Sequence, residues 1–178
     1  MKGKILIAEP FLGDKNFERS VVLLCEHATE GSFGLVLNQL TNLKLDDVME
    51  NIYSDLPLYL GGPVEQNTLH FIHRLGNQID GTVDIGNGIY WSGDFEQVKT
   101  LINIGRISEN DIRLFVGYSG WSGGQLENEI KQDSWILSNS DANLIFETPS
   151  KSFWREVLKR MGGQYKVLSN YPTDPRLN

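Results

Sequence analysis

The sequence holds a single cysteine, Cys25, so no intrachain disulfide can form, and a lone thiol fits a reducing compartment with the cytoplasm as the expected location. Long apolar runs are missing as well. Ile5-Leu6-Ile7-Ala8 stops at Glu9 and Pro10, too short for a signal-peptide core, and no stretch approaches the roughly 18 apolar residues of a membrane span. There is no CxxC or HExxH pair and no GxxxxGK[ST] phosphate cradle, while Gly86 and Gly88 fit a hairpin better than a dinucleotide fingerprint. Neither a metal nor a cofactor is expected. Positive charge is in deficit: 16 lysines and arginines face 23 aspartates and glutamates, a net charge of −7. That field repels phosphate backbones, and no helix-turn-helix is evident, so direct nucleic-acid binding is disfavoured.

What is present reads as one globular domain over 178 residues, with an irregular tail from about residue 170. Lys4–Ala8 predicts a short strand, and the apolar run Val21–Cys25 predicts a central strand covered on both faces. Phe33–Leu37 follows the Glu30-Gly31 turn as a hairpin partner. Leu45–Ile52 predicts a short helix, Leu69–Leu75 a strand, and Ile79–Trp91 a hairpin ribbon around Asp80-Gly81 and Asn87-Gly88. Asp94 with Gln97 predicts a capping box opening a helix to about Ile104. Ile112–Tyr118 predicts a strand and Gln125–Gln132 a helix. Thr148 as N-cap with Pro149 in the first turn opens a last helix, whose stripe of Trp154, Val157, Leu158 and Met161 is buried. Lys151, Arg155 and Lys159 form its solvated face. The βαβ units are too few for a Rossmann or TIM fold, which leaves a single-domain α+β class.

Gly120-Trp121-Ser122-Gly123-Gly124 matches the nucleophile elbow GxSxG, placed between a predicted strand and a predicted helix. The hydrolase order, serine then acid then histidine, is impossible here, because His27, His70 and His73 all precede Ser122. Catalysis by Ser122 would need a non-standard arrangement. Cys25, His27, His70 and His73 lack metal-ligand spacing, and a thiol between Leu24 and Glu26 should titrate high. Glu127 and Glu129 stand about 200° apart around a helix. Glu127 is expected to face Lys131 at i+4, while Gln125 and Glu129 share a face beside the glycine-rich turn.

Three blocks carry a resemblance. They are Phe17-Glu18-Arg19-Ser20-Val21-Val22 running into Cys25-Glu26-His27, Gly31, Gly34 and Asn38; Gly61-Gly62-Pro63-Val64 with His73; and Gly117-Tyr118-Ser119-Gly120-Trp121 followed by Gly124-Gln125-Leu126-Glu127, Glu129 and Trp135. Together they resemble the YqgE/AlgH family of bacterial proteins. The resemblance implies a small domain with a mixed, partly barrel-like sheet flanked by helices, and a regulatory role described as transcriptional and linked to alginate synthesis. It implies no agreed activity, cofactor or catalytic residue. Ser122 and Gly123 fall at variable positions of the pattern. The implied shared surface comprises Cys25, His27, Asn38, His73, Tyr118, Trp121 and Gln125, and Glu129, on the helix face of Gln125, joins them as a candidate binding residue. The expectation is a non-enzymatic binding or regulatory domain acting through a protein partner or small ligand, its oligomeric state open. The alternative is a hydrolase built on Ser122.

Overall fold

Apolar runs flanked by turns set the architecture. In the computed structural model, which describes residues 1–172, Ile5–Ala8 (β1) lies between Val21–Ala28 (β2) and Trp135–Ser138 (β10), antiparallel to both. Gly31–Val36 (β3) returns from β2 as its hairpin partner. Val21 through Cys25 are all buried, with Val21, Leu23 and Cys25 facing one core and Val22 and Leu24 another, as a run apolar at every position requires. The first core is closed by helices Ala142–Glu147 (α4) and Phe153–Met161 (α5), the second by Gln125–Lys131 (α3). A third lies under Phe95–Asn103 (α2), which buries Val98 and Ile102.

One strand, Ile112–Ser122 (β9), serves both halves of the sheet. Its first half lies antiparallel to Val64–His73 (β6) and parallel to Pro57–Leu60 (β5); its last residues pair with β3. Beyond β6 come Ile89–Trp91 (β8) and Val83–Gly86 (β7), joined at Asn87-Gly88. The sheet is therefore mixed, largely antiparallel and open, running from β10 to β7 without closing into a barrel.

The exchange of neighbours on β9 happens at a glycine crossing. The Gly61 N–H donates to the Val116 carbonyl of β9 (2.9 Å), and the Gly61 carbonyl accepts from Val36 N–H of β3 (2.9 Å) and from Ser119 Oγ (3.0 Å). Gly117 lies across from it with φ +71°, and a Cβ there would stand 2.6 Å from the Gly62 carbonyl oxygen. Only glycine meets both demands cheaply.

Several local expectations are corrected. The helix expected over Leu45–Ile52 is a single turn, Leu45–Val48 (α1), and Leu40–Lys44 before it is an edge strand (β4) paired with β5. Thr148 does not cap the last long helix. It terminates α4, whose N-cap is Asp141 (Oδ1 accepting from Leu144 N–H, 2.8 Å), because the following proline holds Thr148 extended. A 3-10 turn over Ser150–Ser152 then leads into α5. Asp94 caps α2, yet Gln97 completes no box, since its amide bonds Asp80 at 2.7 Å through both N–H and carbonyl. Gly162-Gly163 ends α5 as expected, but Gly163–Leu168 forms a further short helix (α6). Of the tail, residues 173–178 lie outside the described residues.

Gly117→Ala is expected to lower unfolding free energy by roughly 2–4 kcal/mol, from the left-handed backbone and the clash with Gly62 together. Urea denaturation measures this, and a loss under about 0.5 kcal/mol would show that the crossing tolerates a side chain.

Candidate functional site

On an antiparallel ladder, directly paired residues share a face. Ser32 pairs with His27 on one side and Trp121 on the other, so these three side chains point the same way, toward α3. The turn into α3 passes through Gly124 at φ +80°. The helix then lays Leu126 on the core and carries Gln125, Glu127 and Glu129 past the sheet.

Glu129 is the hub. Its Oε2 accepts the indole N–H of Trp121 (2.9 Å) and of Trp135 (2.8 Å), and its Oε1 accepts the Gln125 amide (2.9 Å). Gln125 Oε1 in turn accepts the Ser122 backbone N–H (3.0 Å) and hydroxyl (3.3 Å). Phe17 stacks on Trp121 with centroids 6.3 Å apart and meets Trp135 edge-on at 5.5 Å. Trp121 and Trp135 are buried, so both act as walls and not as outward anchors. Beside them lies a notch of about 330 Å³, which the exposed Asp14 and Gln132 also line.

His27 adjoins this network. Its Nδ1 lies 2.7 Å from Ser32 Oγ and its Nε2 3.2 Å from Glu127 Oε1. A proton on Nε2, donated to Glu127, with Nδ1 accepting the Ser32 hydroxyl, satisfies both contacts. Glu127 thus pairs with His27 and makes no ion pair with Lys131, the tertiary contact replacing the expected i, i+4 one. The order Ser–His–Glu resembles an acyl-transfer relay, but the ring is used the other way round and Ser32 sits within a strand. The chain's evident effect is to fasten α3 to the β2–β3 hairpin.

The other expected residues do not join the notch. Cys25 is buried at the β2 bulge, and burial, aided by Glu26, pushes its thiol pKa far up, which leaves it unreactive. Asn38 ties backbone to backbone, accepting from Val21 N–H (3.0 Å) and donating to the Arg19 carbonyl (2.9 Å). His73 is wholly buried; its Nδ1 accepts from Leu75 N–H (3.2 Å) and its Nε2 contacts Thr82 Oγ1 (2.9 Å). Tyr118 lies on the opposite face of β9, stacked on Phe33 at 4.7 Å. Ser122 bonds Gln125, while each histidine ring is engaged elsewhere, His70 with Thr68. Among the described residues no cluster suited to a metal ion is found, and no helix is long and apolar enough to cross a membrane. Sequence reasoning underrated Phe17, Trp135 and Glu127; the first two were visible as aromatic members of the motif blocks.

A family model described as AlgH-like matches residues 5–166. The chain belongs to the AlgH-like family. It is 50% identical over 179 residues to a UPF0301 protein of Cytophaga hutchinsonii, covering 99% of this chain and 98% of that one. A UPF0301 protein of Chlorobium limicola is 41% identical over 178 residues, covering 99% and 95%. The solution structure of the AlgH protein from Pseudomonas aeruginosa is similar with a TM-score of 0.76 at 28% identity, over 96% of this chain and 94% of that chain. A Corynebacterium diphtheriae crystal structure shares the fold with a TM-score of 0.79 at 24% identity, over 95% and 91%. These AlgH-like relatives carry no named activity.

Burial holds the His73 pKa below its ordinary value, outweighing the bond to the Ser92 carbonyl that raises it. The folded state thus favours the neutral ring. This contribution to stability is full above about pH 6.5, the unfolded value, and is lost as pH falls toward the lowered folded value. The urea midpoint is expected to drop between pH 7 and 5, less steeply in His73→Gln. An unchanged slope in that variant would assign the effect elsewhere, His70 being shifted the same way by burial.

Proposed function

We propose that this chain is a binding domain whose recognition site is the notch beside Trp121, Trp135 and Glu129, and that any regulatory role runs through the partner or small ligand held there. The observation that carries the reading is the state of Glu129. Its carboxylate takes three hydrogen bonds from fixed donors, and a carboxylate has about four acceptor positions. One position remains, aimed from a floor that two indoles and an amide hold rigid. Asp14 at the rim adds a second acceptor.

Acceptor oxygens beside aromatic walls suit a group that donates hydrogen bonds and carries positive charge. A lysine or arginine side chain of a partner protein, or a small amine, has that chemistry, and the net charge of −7 favours its approach. The same charge opposes DNA, so transcriptional effects are indirect in this reading. The hydrolase alternative on Ser122 has less support, since the hydroxyl bonds a glutamine amide and not a base.

Titration of ¹⁵N-labelled protein with argininamide at low salt tests the proposal. The indole signals of Trp121 and Trp135 should shift together and saturate, with affinity reduced about tenfold in Glu129→Gln and less in Asp14→Asn. Shifts that never saturate, or that persist unchanged in Glu129→Gln, would sink it.

A further inference from the structure

We propose that the cavity beside Arg113 is a second binding site, which takes a small monocarboxylate on the Arg113 guanidinium. Arg113 sits near the start of β9, far along the strand from Trp121, and is 7% exposed. Buried cations are ordinarily paired with carboxylates. This one has a single long hydrogen bond, Nη1 to the Leu37 carbonyl at 3.5 Å, and stacks over Tyr59 at 4.7 Å. The ion pairs among the described residues are His27–Glu127, Arg74–Glu147 and Lys159–Glu156, and Arg113 is in none of them.

The remaining N–H groups of Arg113 must therefore point somewhere wet. Among the described residues the one fully enclosed side-chain polar atom without a partner is Arg19 Nε, so the spare donors of Arg113 reach solvent. They reach it through a cavity of about 270 Å³ that Arg113 lines together with Thr148, Ser150 and Asn110. Thr148 is 8% exposed and lines the same cavity, and among the described residues its hydroxyl has no hydrogen-bond partner. Two buried polar side chains thus converge on one space, and that space far exceeds the ~30 Å³ of a single water. Burial lowers the guanidinium pKa, against the opposing pull of Tyr59 and Glu109, as expected of a cation short of counter-charge.

The charge at the rim chooses the ligand. Glu109 and Glu147 both border the cavity, the latter held by Arg74 at 3.3 Å. A doubly charged phosphate would face two carboxylates, whereas a single carboxylate matches the planar fork and meets less repulsion. Tyr59, Phe146 and Pro149 give its short carbon body an apolar wall.

The test is titration of the full chain with acetate, pyruvate and phosphate at constant ionic strength, read by amide and arginine Nε signals. Acetate and pyruvate should produce saturable shifts at Arg113, Thr148 and Ser150 that chloride does not. Thr148→Val, which keeps the side-chain shape, should weaken them about tenfold, and Arg113→Gln should abolish them. If Arg113→Gln does not fold, Thr148→Val alone decides the matter. Absence of saturation up to about 50 mM carboxylate, a value far weaker than the millimolar binding one charged fork supports, would leave a water-filled cavity and overturn the proposal. Phosphate binding without carboxylate binding would overturn it too.

Discussion

The backbone of Gly61 holds the two halves of this molecule together. It reaches Val116 on β9 with its N–H and accepts from Val36 on β3 and from Ser119 of β9 with its carbonyl, so one residue ties its own segment to both β3 and β9. No side chain stands between Gly61 and Gly117, and that close approach lets β9 leave β5 and join β3 within a residue or two. Everything that follows on β9 depends on it. Residues 119–122 reach the β3 ladder only because the strand crosses here, and Trp121 reaches α3 only because of that ladder.

Glu129 plays the corresponding part at the notch. Without it, two buried indole N–H groups would lose their acceptor, at about 1–3 kcal/mol for each group left unsatisfied. Satisfying them with a carboxylate strengthens each bond and fixes both ring planes, so the fold itself sets the walls of the notch. His27 and Glu127 add a second fastening of α3 to the sheet, from the other side of the same helix. Arg113 is the contrast. It is buried with a cation's demands and one long hydrogen bond, to the Leu37 carbonyl.

Legibility in the sequence followed the range of the contacts. Val21–Cys25 was readable as a doubly covered strand because five apolar residues in a row need cover on both faces. The stripe on α5 was readable for the same local reason. β4 is not legible, since an exposed edge strand such as Leu40–Lys44 carries no alternation to detect, and β5, though buried, is only the four residues Pro57–Leu60. Thr148 was misassigned because Thr-Pro opens and closes helices alike, and only the placement of α4 shows which end it marks. The turn between β9 and α3 was visible from its glycines. That Glu127 prefers His27 to Lys131, and that Trp121 and Trp135 share one carboxylate, are pairings of tertiary structure, to which local spacing is blind.

Hydrogen exchange of the four indole N–H groups is the most direct test of the preformed notch. Trp154 Nε1 donates to the Ala8 carbonyl at 2.9 Å, while Trp91 Nε1 has no acceptor among the described residues and serves as the internal reference. In the free protein the Trp121 and Trp135 indoles should exchange at least about tenfold more slowly than Trp91, and as a pair, because one carboxylate holds both. Exchange of either at the rate of Trp91 would contradict a site held together by Glu129.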